Sequence, residues 1–219
     1  MGGFEEQFLR GLETTVLVAA ISGAFGMLVG LAGAAAKLSR FRALRMVADA
    51  YTTIVRGVPE LLVILLVYFG GTAALTALVG SYVEVSALWA GVFSLTVVFG
   101  AYATEIFRGA IQAIPRGQTE AALSIGLAPW QTWLLVILPQ MARIALPALC
   151  NLWISLLKDT SLISIVGLSD IMRVAVVGAG SMRDPLTFYL AASALYLMLT
   201  SFSLLTFRLV ERRMLAPVH

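Results

Sequence analysis

The sequence EAALSIGLAPWQTWLLVILP, residues 120–139, is the part of this chain from which the rest of the fold can be worked out. It lies between long apolar segments and has the marks of a folded element. Residues 118–125 have a helix-forming composition, with Thr119 and Glu120 placing a hydroxyl oxygen and a negative charge in the expected first turn. The stretch therefore predicts a short helix on a connection between two apolar spans.

The second half of this stretch predicts a sharp turn and another helix. Gly126 suits the left-handed residue that follows many helices. Pro129 fits the first turn of a second helix, and Pro139 is expected to close it. Ala121 and Ala122 leave one face of the first helix almost without bulk, so that another protein surface can approach its backbone closely. An ordinary helix-turn-helix linker would have the same composition, so the residues alone leave both interpretations open.

The spacing of these residues resembles the cytoplasmic EAA loop of ABC-importer permeases. That loop has Glu-Ala-Ala, three residues, Gly, nine residues and Ile-x-Leu-Pro, and this chain departs from it only in Val136, where the family has Ile. The polar amino-acid subfamily, with its permeases for histidine, for lysine/arginine/ornithine and for opines, is the most similar. Further matching stretches are AKLSR (36–40), YTTIVRGVPEL (51–61), GAYATEIFRGAIQAIPRGQ (100–118), LPALCNLW (146–153) and LLKDTSL (156–162).

The resemblance implies a fold and a set of partners. The fold is an all-α integral membrane protein with about five transmembrane helices, like the permease of a type I ABC importer. The helix that carries Glu120, Ala121 and Ala122, with Gly126 after it, would insert into a groove of a separate ATP-binding cassette subunit. The implied assembly contains a second permease chain, two ATPase subunits and an extracytoplasmic substrate-binding protein, in a bacterial inner membrane.

The composition independently indicates a membrane protein. Of 219 residues, 60% are hydrophobic and 12% are charged, whereas a soluble domain carries about 25% charged residues. We expect a single transmembrane permease domain over residues 1–219, with a cytoplasmic loop at about 108–140. Cys150 is the one cysteine, so no disulfide can form within the chain.

Runs without charged residues predict the positions of the spans, since about 20 apolar residues cross a bilayer. The predicted spans are residues 14–36, about 50–71, 86–104, about 144–169 and 185–207, with an external connector at 72–85. The fourth span is long enough only if it includes Lys158 and Asp159 in its outer half. In the first span four glycines lie near one face, where helices pack closely: Gly23, Gly26, Gly30 and Gly33.

Basic residues beside the spans predict the orientation of the chain, because they favour the cytoplasmic side. Five spans with an external N-terminus and a cytoplasmic C-terminus place ten basic residues inside: Lys37, Arg40, Arg42, Arg45, Arg108, Arg116, Arg143, Arg208, Arg212 and Arg213. Only Arg10, Arg173 and Arg183 are then outside. This orientation places the loop at about 108–140 in the cytoplasm, as docking to an ATPase requires.

The sequence contains no phosphate-binding loop of its own. The GxxxxGK[ST] motif needs a lysine after glycine, but Lys37 follows an alanine and Lys158 follows a leucine. We therefore expect a chain that is not an enzyme and binds no cofactor, with ATP and magnesium held by the partner subunit. Neither a metal site nor a nucleic-acid partner is expected. An intramembrane serine protease would need a base near its serine, and the one histidine is the last residue, His219.

Polar residues of the fourth span are the candidates for a substrate path. Ionisable groups at membrane depth usually pair with each other or line a polar path. For a cationic substrate, Asp159 would favour the charge, while the hydroxyls of Thr160 and Ser161 would replace lost water. Alternatively, Lys158 and Asp159 fix helix packing, or Lys158 extends to the outer headgroups.

Two further charged pairs lie near the predicted cytoplasmic side. Arg56 and Glu60 are four residues apart, so on a continuous helix they would share one face and pair. They would then form part of a gate or simply anchor the second helix. Glu105 and Arg108 are expected to pair at the membrane interface and brace the loop that follows.

The sequence favours the permease subunit of an ATP-driven importer of an amino acid. Histidine, arginine, lysine, ornithine and opines remain open as substrates. The alternative is an ion-coupled secondary amino-acid carrier, which is usually built from repeats. Five helices would make half of such a carrier if two copies inserted in opposite orientations, and the ten-to-three charge bias opposes that. Because five helices offer few surfaces to enclose a polar path, two permease chains, identical or paralogous, should form the working unit.

Overall fold

The computed structural model describes residues 3–215 and, within them, consists of helices and their connections. In this described part of the chain, five helical runs are long and apolar enough to cross a membrane: Phe4–Lys37, Glu60–Val79, Ala87–Gln112, Pro129–Val166 and Pro185–Arg212. This confirms the predicted all-α membrane protein with about five spans. His219 lies outside the described residues, as does the side chain of Arg213.

The helices follow one another along the chain with short connections. They are α1 (Phe4–Lys37), α2 (Arg42–Gly57), α3 (Glu60–Leu65), α4 (Gly71–Val79), α5 (Ala87–Gln112), α6 (Arg116–Ser124), α7 (Pro129–Thr132), α8 (Leu138–Asp159), α9 (Ile171–Met182) and α10 (Pro185–Leu215). Wider π-helical turns join α3 to α4 (Leu66–Gly70) and α7 to α8 (Trp133–Ile137). A tighter 3₁₀ segment, Thr160–Val166, extends α8.

The core forms where α1 and α5 pack closely, and glycines make this possible. A Cβ atom on Gly26 would lie 2.6 Å from Cδ1 of Phe99, and one on Gly30 would lie 2.6 Å from the Cβ of Ala103. Gly33 meets Thr104 of α5 in the same way. The glycine face predicted for the first span is therefore confirmed as a helix–helix contact, of the kind that lipid-embedded helices use.

The second span differs from its prediction because a break separates it from an amphipathic helix. Val58 (φ −103°, ψ 136°) and Pro59 (φ −55°, ψ 136°) are extended, so α2 ends at Gly57 and the apolar run begins at Glu60. Proline lacks the N–H for a helical bond and forces the residue before it out of the helical region. The span is therefore Glu60–Val79 rather than about 50–71, and helix occupies much of the predicted connector at 72–85.

The fourth span also begins earlier than predicted. Pro139 does not end the second helix of the loop, since α7, a π-helical turn and α8 run on as Pro129–Val166. The N–H of Leu138 bonds to the carbonyl of Trp133, five residues back, and Pro139 then lies in the first turn of α8, where a missing N–H costs little. Residues 113–128, which lie inside the loop predicted at about 108–140, therefore separate the helices that contain the third and fourth spans.

The short helix α9 is too short to cross a membrane and packs against α1 and α10. Asp170 is fully buried and caps its start, accepting a hydrogen bond from the N–H of Arg173 (2.8 Å). The ring of Phe188 in α10 stacks on Phe8 of α1, with centroids 6.2 Å apart. This second apolar cluster fixes the last span against the first.

Candidate functional site

The connection between α6 and α7 is a tightly hydrogen-bonded turn. Gly126 has φ 87°, as predicted from its position after the first helix. Its N–H donates to the carbonyl of Leu123 (3.0 Å), and the N–H of Leu127 donates to the carbonyl of Ala122 (3.2 Å). Together these are the two hydrogen bonds of a Schellman motif, which ends a helix on a left-handed residue.

The start of α7, like the end of α6, is stabilised by local hydrogen bonds. The backbone N–H of Ala128 donates to Oε1 of Gln131 (2.8 Å), and Pro129 occupies the first turn, as predicted. The N–H of Thr132 bonds to the carbonyl of Ala128 (2.9 Å). The end of α6 and the start of α7 are therefore both closed by local hydrogen bonds, from the backbone and from the Gln131 side chain.

The side chains of α6 face in directions that the sequence predicted only in part. Glu120 and Ala121 are exposed, but Ala122 is 4% exposed and faces its own chain. The expectation that both alanines form one open face is therefore wrong for Ala122. Because α6 begins at Arg116, Glu120 also lies in its second turn rather than its first. Ala122 was expected on an open face because the two alanines have little bulk, but a small side chain does not determine which face of a helix is covered.

A polar cavity lies between α3, α5 and α8. Its volume is about 280 Å³, and Asp159 of α8, Glu60 of α3 and Tyr102 of α5 supply most of its polar lining, together with Ser155. The remaining lining residues are apolar: Leu95, Val98, Phe99, Leu152 and Leu156. Two carboxyl groups thus face one space within the spans, where ionisable groups are costly and usually functional.

The other two residues predicted with Asp159 do not line this cavity. Thr160 is fully buried, and its hydroxyl donates to the carbonyl of Leu157 (2.8 Å). The hydroxyl of Ser161 donates to the carbonyl of Lys158 (2.7 Å). Both hydroxyl protons are therefore used within the helix end, where the chain tightens into 3₁₀ turns.

Arg56 and Glu60 meet at Tyr102 instead of pairing with each other. The guanidinium of Arg56 lies 5.2 Å from the centre of the Tyr102 ring, and the Tyr102 hydroxyl donates a long hydrogen bond to Oε1 of Glu60 (3.5 Å). In the described part of the chain no ion pair joins Arg56 to Glu60. The predicted pair was wrong because its spacing holds only for a continuous helix, and Pro59 interrupts it.

One further contact anchors α2 to α5. The hydroxyl of Tyr51 donates to the carbonyl of Val97 (2.6 Å). Burial raises the pKa of Tyr51 to about 12, so the phenol keeps its proton at any physiological pH and the hydrogen bond persists.

Glu105 and Arg108 pair as predicted, but they belong to a larger cluster. Nε of Arg108 donates to Oε2 of Glu105 (2.8 Å). Lys37, the last residue of α1, bonds to the other oxygen of Glu105 and also lies 2.9 Å from Oδ1 of Asp49 in α2. We name Asp49, Lys37, Glu105 and Arg108 the four-charge cluster.

Sequence reasoning missed Tyr102, Lys37 and Asp49 as parts of these sites. Lys37 was counted only as a basic residue at the end of a span, and nothing in the spacing relates it to Glu105, 68 residues later. No sequence feature indicated a functional role for Tyr102 either, because tyrosines within membrane spans commonly serve only in helix packing. Among the described residues, no group of three or more His, Cys, Asp or Glu is placed to hold a metal ion.

Relatives of this chain are transport permeases. The nopaline transport system permease protein NocQ of Agrobacterium fabrum is 51% identical over 207 residues, which are 92% of this chain and 88% of that protein. The octopine transport system permease protein OccQ of Rhizobium radiobacter is 43% identical, over 96% of this chain and 91% of that protein. The crystal structure of an amino acid ABC transporter with histidines superposes with a TM-score of 0.84 and 32% identity, covering 96% of this chain and 95% of the other.

A family model supports the same conclusion over most of the chain. The model described as binding-protein-dependent transport system inner membrane component matches residues 23–216. That range contains the α6–α7 loop, the polar cavity and all five candidate spans in whole or in part. The chain therefore belongs to the family of binding-protein-dependent transport system inner membrane components.

Proposed function

We propose that this chain is the permease subunit of an ATP-binding cassette importer for a cationic amino acid or an opine, in a bacterial inner membrane. Two of its relatives are named as permeases of nopaline and octopine transport systems. The observation that supports a cationic substrate is the pair of carboxyl groups in the polar cavity. The partners are a second permease chain, two ATPase subunits that bind ATP and magnesium, and an extracytoplasmic binding protein.

The chemistry of the cavity suits a positively charged side chain. Glu60 and Asp159 face the same space, and none of the described residues that line it is basic. Two like charges in a region of low dielectric repel each other, so a cationic ligand between them removes an unfavourable interaction as well as forming a new one. The hydroxyls of Tyr102 and Ser155 supply further polar contacts. An acidic substrate would meet repulsion from the same groups.

The pair formed by Arg56 and the Tyr102 ring is the candidate gate of this cavity. Arg56 lies at the end of α2, next to the extended residues Val58 and Pro59. A rotation of α2 at these residues would remove the guanidinium from the ring, while Glu60, which belongs to α3 beyond the break, keeps its contact with Tyr102. Arg56 and Glu60 therefore act as a gate in this proposal, rather than as an anchor of one helix.

The exposed side of α6 is the docking surface for the ATPase subunit. It presents Glu120 and Ala121 beside two large apolar side chains, Leu123 (47% exposed) and Ile125 (79% exposed). The positive-inside bias supports a cytoplasmic position for this loop, outside the lipid. Apolar groups exposed to water on a rigid helix are typical of a surface that another protein covers, and Gly126 holds the turn that presents them.

A substrate panel tests the proposed class. The permease is purified with its second permease chain, its ATPase and its binding protein, and reconstituted in lipid. We expect arginine, lysine, ornithine, histidine or an opine to stimulate ATP hydrolysis, with the cavity favouring compounds that have a basic side chain. Glutamate and leucine are the controls, because their side chains are acidic and apolar. Stimulation by glutamate equal to that by every cationic compound would refute the assignment of the cavity.

A further inference from the structure

Lys37 joins three helices through a single ammonium group. Its side chain is 8% exposed, and Nζ contacts Asp49 of α2 at 2.9 Å while also bonding to Glu105 of α5. Lys37 is itself the last residue of α1. A buried ammonium needs such partners, because removing one leaves a charge without compensation. Lys37 therefore holds α2 and α5 at a fixed distance from each other and from α1.

The contacts of this cluster continue along α5 to the root of the docking loop. Arg108, bonded to Glu105, also donates from Nη1 to Oε1 of Gln112 (2.9 Å), the last residue of α5. Gln112 lines a cleft with Arg116 and Thr119 of α6. A chain of polar contacts thus leads from α2 to Gln112 at the end of α5, which faces the same cleft as the first turn of the helix that we propose docks on the ATPase.

Helix α2 depends on this cluster more than a buried helix would. Only Ala48 and Thr52 of its residues are buried, and non-helical residues flank it at both ends, at 38–41 and 58–59. Its polar contacts with the neighbouring helices are the hydrogen bond from Tyr51 to α5, the stacking of Arg56 on Tyr102 and the ion pair with Lys37. Because apolar packing is slight, these contacts contribute much of what holds α2 against α5.

We propose that Lys37 is a positioning residue for transport, which holds α2 against α5 and so keeps Arg56 over the Tyr102 ring until the ATPase moves the docking loop. At its other end α2 carries Arg56, which lies over the Tyr102 ring beside the polar cavity. Because Glu105 and Tyr102 both belong to α5, the ion pair between Lys37 and Asp49 holds α2, and with it Arg56, against the helix that carries the ring. Without this ion pair α2 would turn more freely at Val58 and Pro59 and uncover the cavity out of step with ATP hydrolysis. This inference rests on the proposed function and adds to it the ion pair that keeps the gate closed between cycles of ATP hydrolysis.

Two variants separate this role from a general effect on stability. Asp49→Asn releases α2 but leaves the buried pair of Lys37 and Glu105 intact, and Asp49 is 64% exposed in its side chain, so folding should tolerate the change. Lys37→Arg keeps the charge and can still bridge two carboxylates. Arg10→Gln is the matched control, because it removes an exposed ion pair, to Glu6, at the other end of α1.

The experiment measures substrate molecules imported per ATP hydrolysed, in proteoliposomes that contain the complete complex with its binding protein. We expect Asp49→Asn to lower this ratio by about fivefold or more. A factor of about five is the lower end of the range by which coupled sites usually affect each other. ATP hydrolysis stimulated by the binding protein should persist, since the docking loop is untouched. Lys37→Arg and Arg10→Gln should keep the ratio of the unmodified complex.

Each outcome of this experiment either supports or overturns the positioning role of Lys37. An unchanged ratio in Asp49→Asn, or uptake and stimulated hydrolysis that fall by the same factor, overturns the positioning role of Lys37. A loss in Arg10→Gln as large as in Asp49→Asn also overturns it, since any lost ion pair would then have the same effect. If the unmodified complex itself imports none of the cationic compounds with ATP, the proposed function fails instead.

Discussion

Replacing Gly126 tests the docking loop through its backbone alone. Its φ is 87°, and a Cβ atom added there would have no atom within 4 Å, so neither a clash nor a lost contact contributes. The cost of alanine is therefore that of a left-handed backbone, about 1–2 kcal/mol. Since 1.4 kcal/mol corresponds to a factor of ten, the equilibrium constant for forming the turn should fall by about 5–30-fold.

A graded series with an internal control makes this test specific. Gly126→Asn should cost less than Gly126→Ala, because asparagine visits the left-handed region more readily. Gly117 lies in the same loop, also has no atom within 4 Å of an added Cβ, and is absent from the positive-φ positions of the described chain. Gly117→Ala should therefore be neutral or stabilise α6 by about 0.5–1 kcal/mol.

The assay is the affinity of the ATPase subunit for each permease variant in lipid nanodiscs, at equal permease abundance. We expect the unmodified protein and Gly117→Ala to bind equally well, Gly126→Asn to bind less tightly and Gly126→Ala to bind least. Uptake should follow the same order, because all three changes lie outside the spans. Equal affinity for Gly126→Ala and Gly117→Ala would show that the turn does not present the docking helix.

Three further predictions concern orientation, substrate path and packing. In a variant without the native cysteine, a cysteine at Ser81 should react with an impermeant thiol reagent in intact cells and one at Ser39 should not; the opposite pattern would invert the topology. Asp159→Asn should lower uptake by about tenfold or more, as expected for a lost hydrogen bond to a charged group, while the complex still assembles. Normal uptake kinetics in this variant would show that Asp159 does not belong to the substrate path. Gly30→Leu should lower the unfolding temperature, because the new Cβ would lie 2.6 Å from the Cβ of Ala103 and overpacking costs about 1–3 kcal/mol. An unchanged unfolding temperature would contradict this packing of α1 on α5.

The sequence predicted those features that follow from local rules. Lipid demands long apolar helices, so the number of spans could be found by length and charge alone. The glycines near Gly30 predicted a close helix–helix contact, because small residues let helices approach each other in lipid, but the sequence did not identify α5 as the partner. Gly126 revealed the turn of the loop, since a residue after a helix that takes a left-handed backbone without strain is almost always glycine.

What the sequence did not predict depends on breaks and long-range contacts. The pairing of Arg56 with Glu60 assumed a continuous helix, and the extended residues at Pro59 moved both side chains onto Tyr102. The π-helical turn before Pro139 carried a helix through a residue that usually stops one. Lys37 could not be connected with Glu105, because no periodicity relates residues on two separate helices.

The source of energy for transport tests the proposed function most directly. Proteoliposomes containing the complete complex and the binding protein would be loaded with ATP, with a non-hydrolysable ATP analogue, or with no nucleotide and an imposed proton or sodium gradient. We expect labelled arginine or another cationic substrate to accumulate only with hydrolysable ATP and to stop when the ATPase subunit is omitted. Accumulation driven by an ion gradient in the absence of the ATPase would contradict an ABC importer and indicate a secondary carrier.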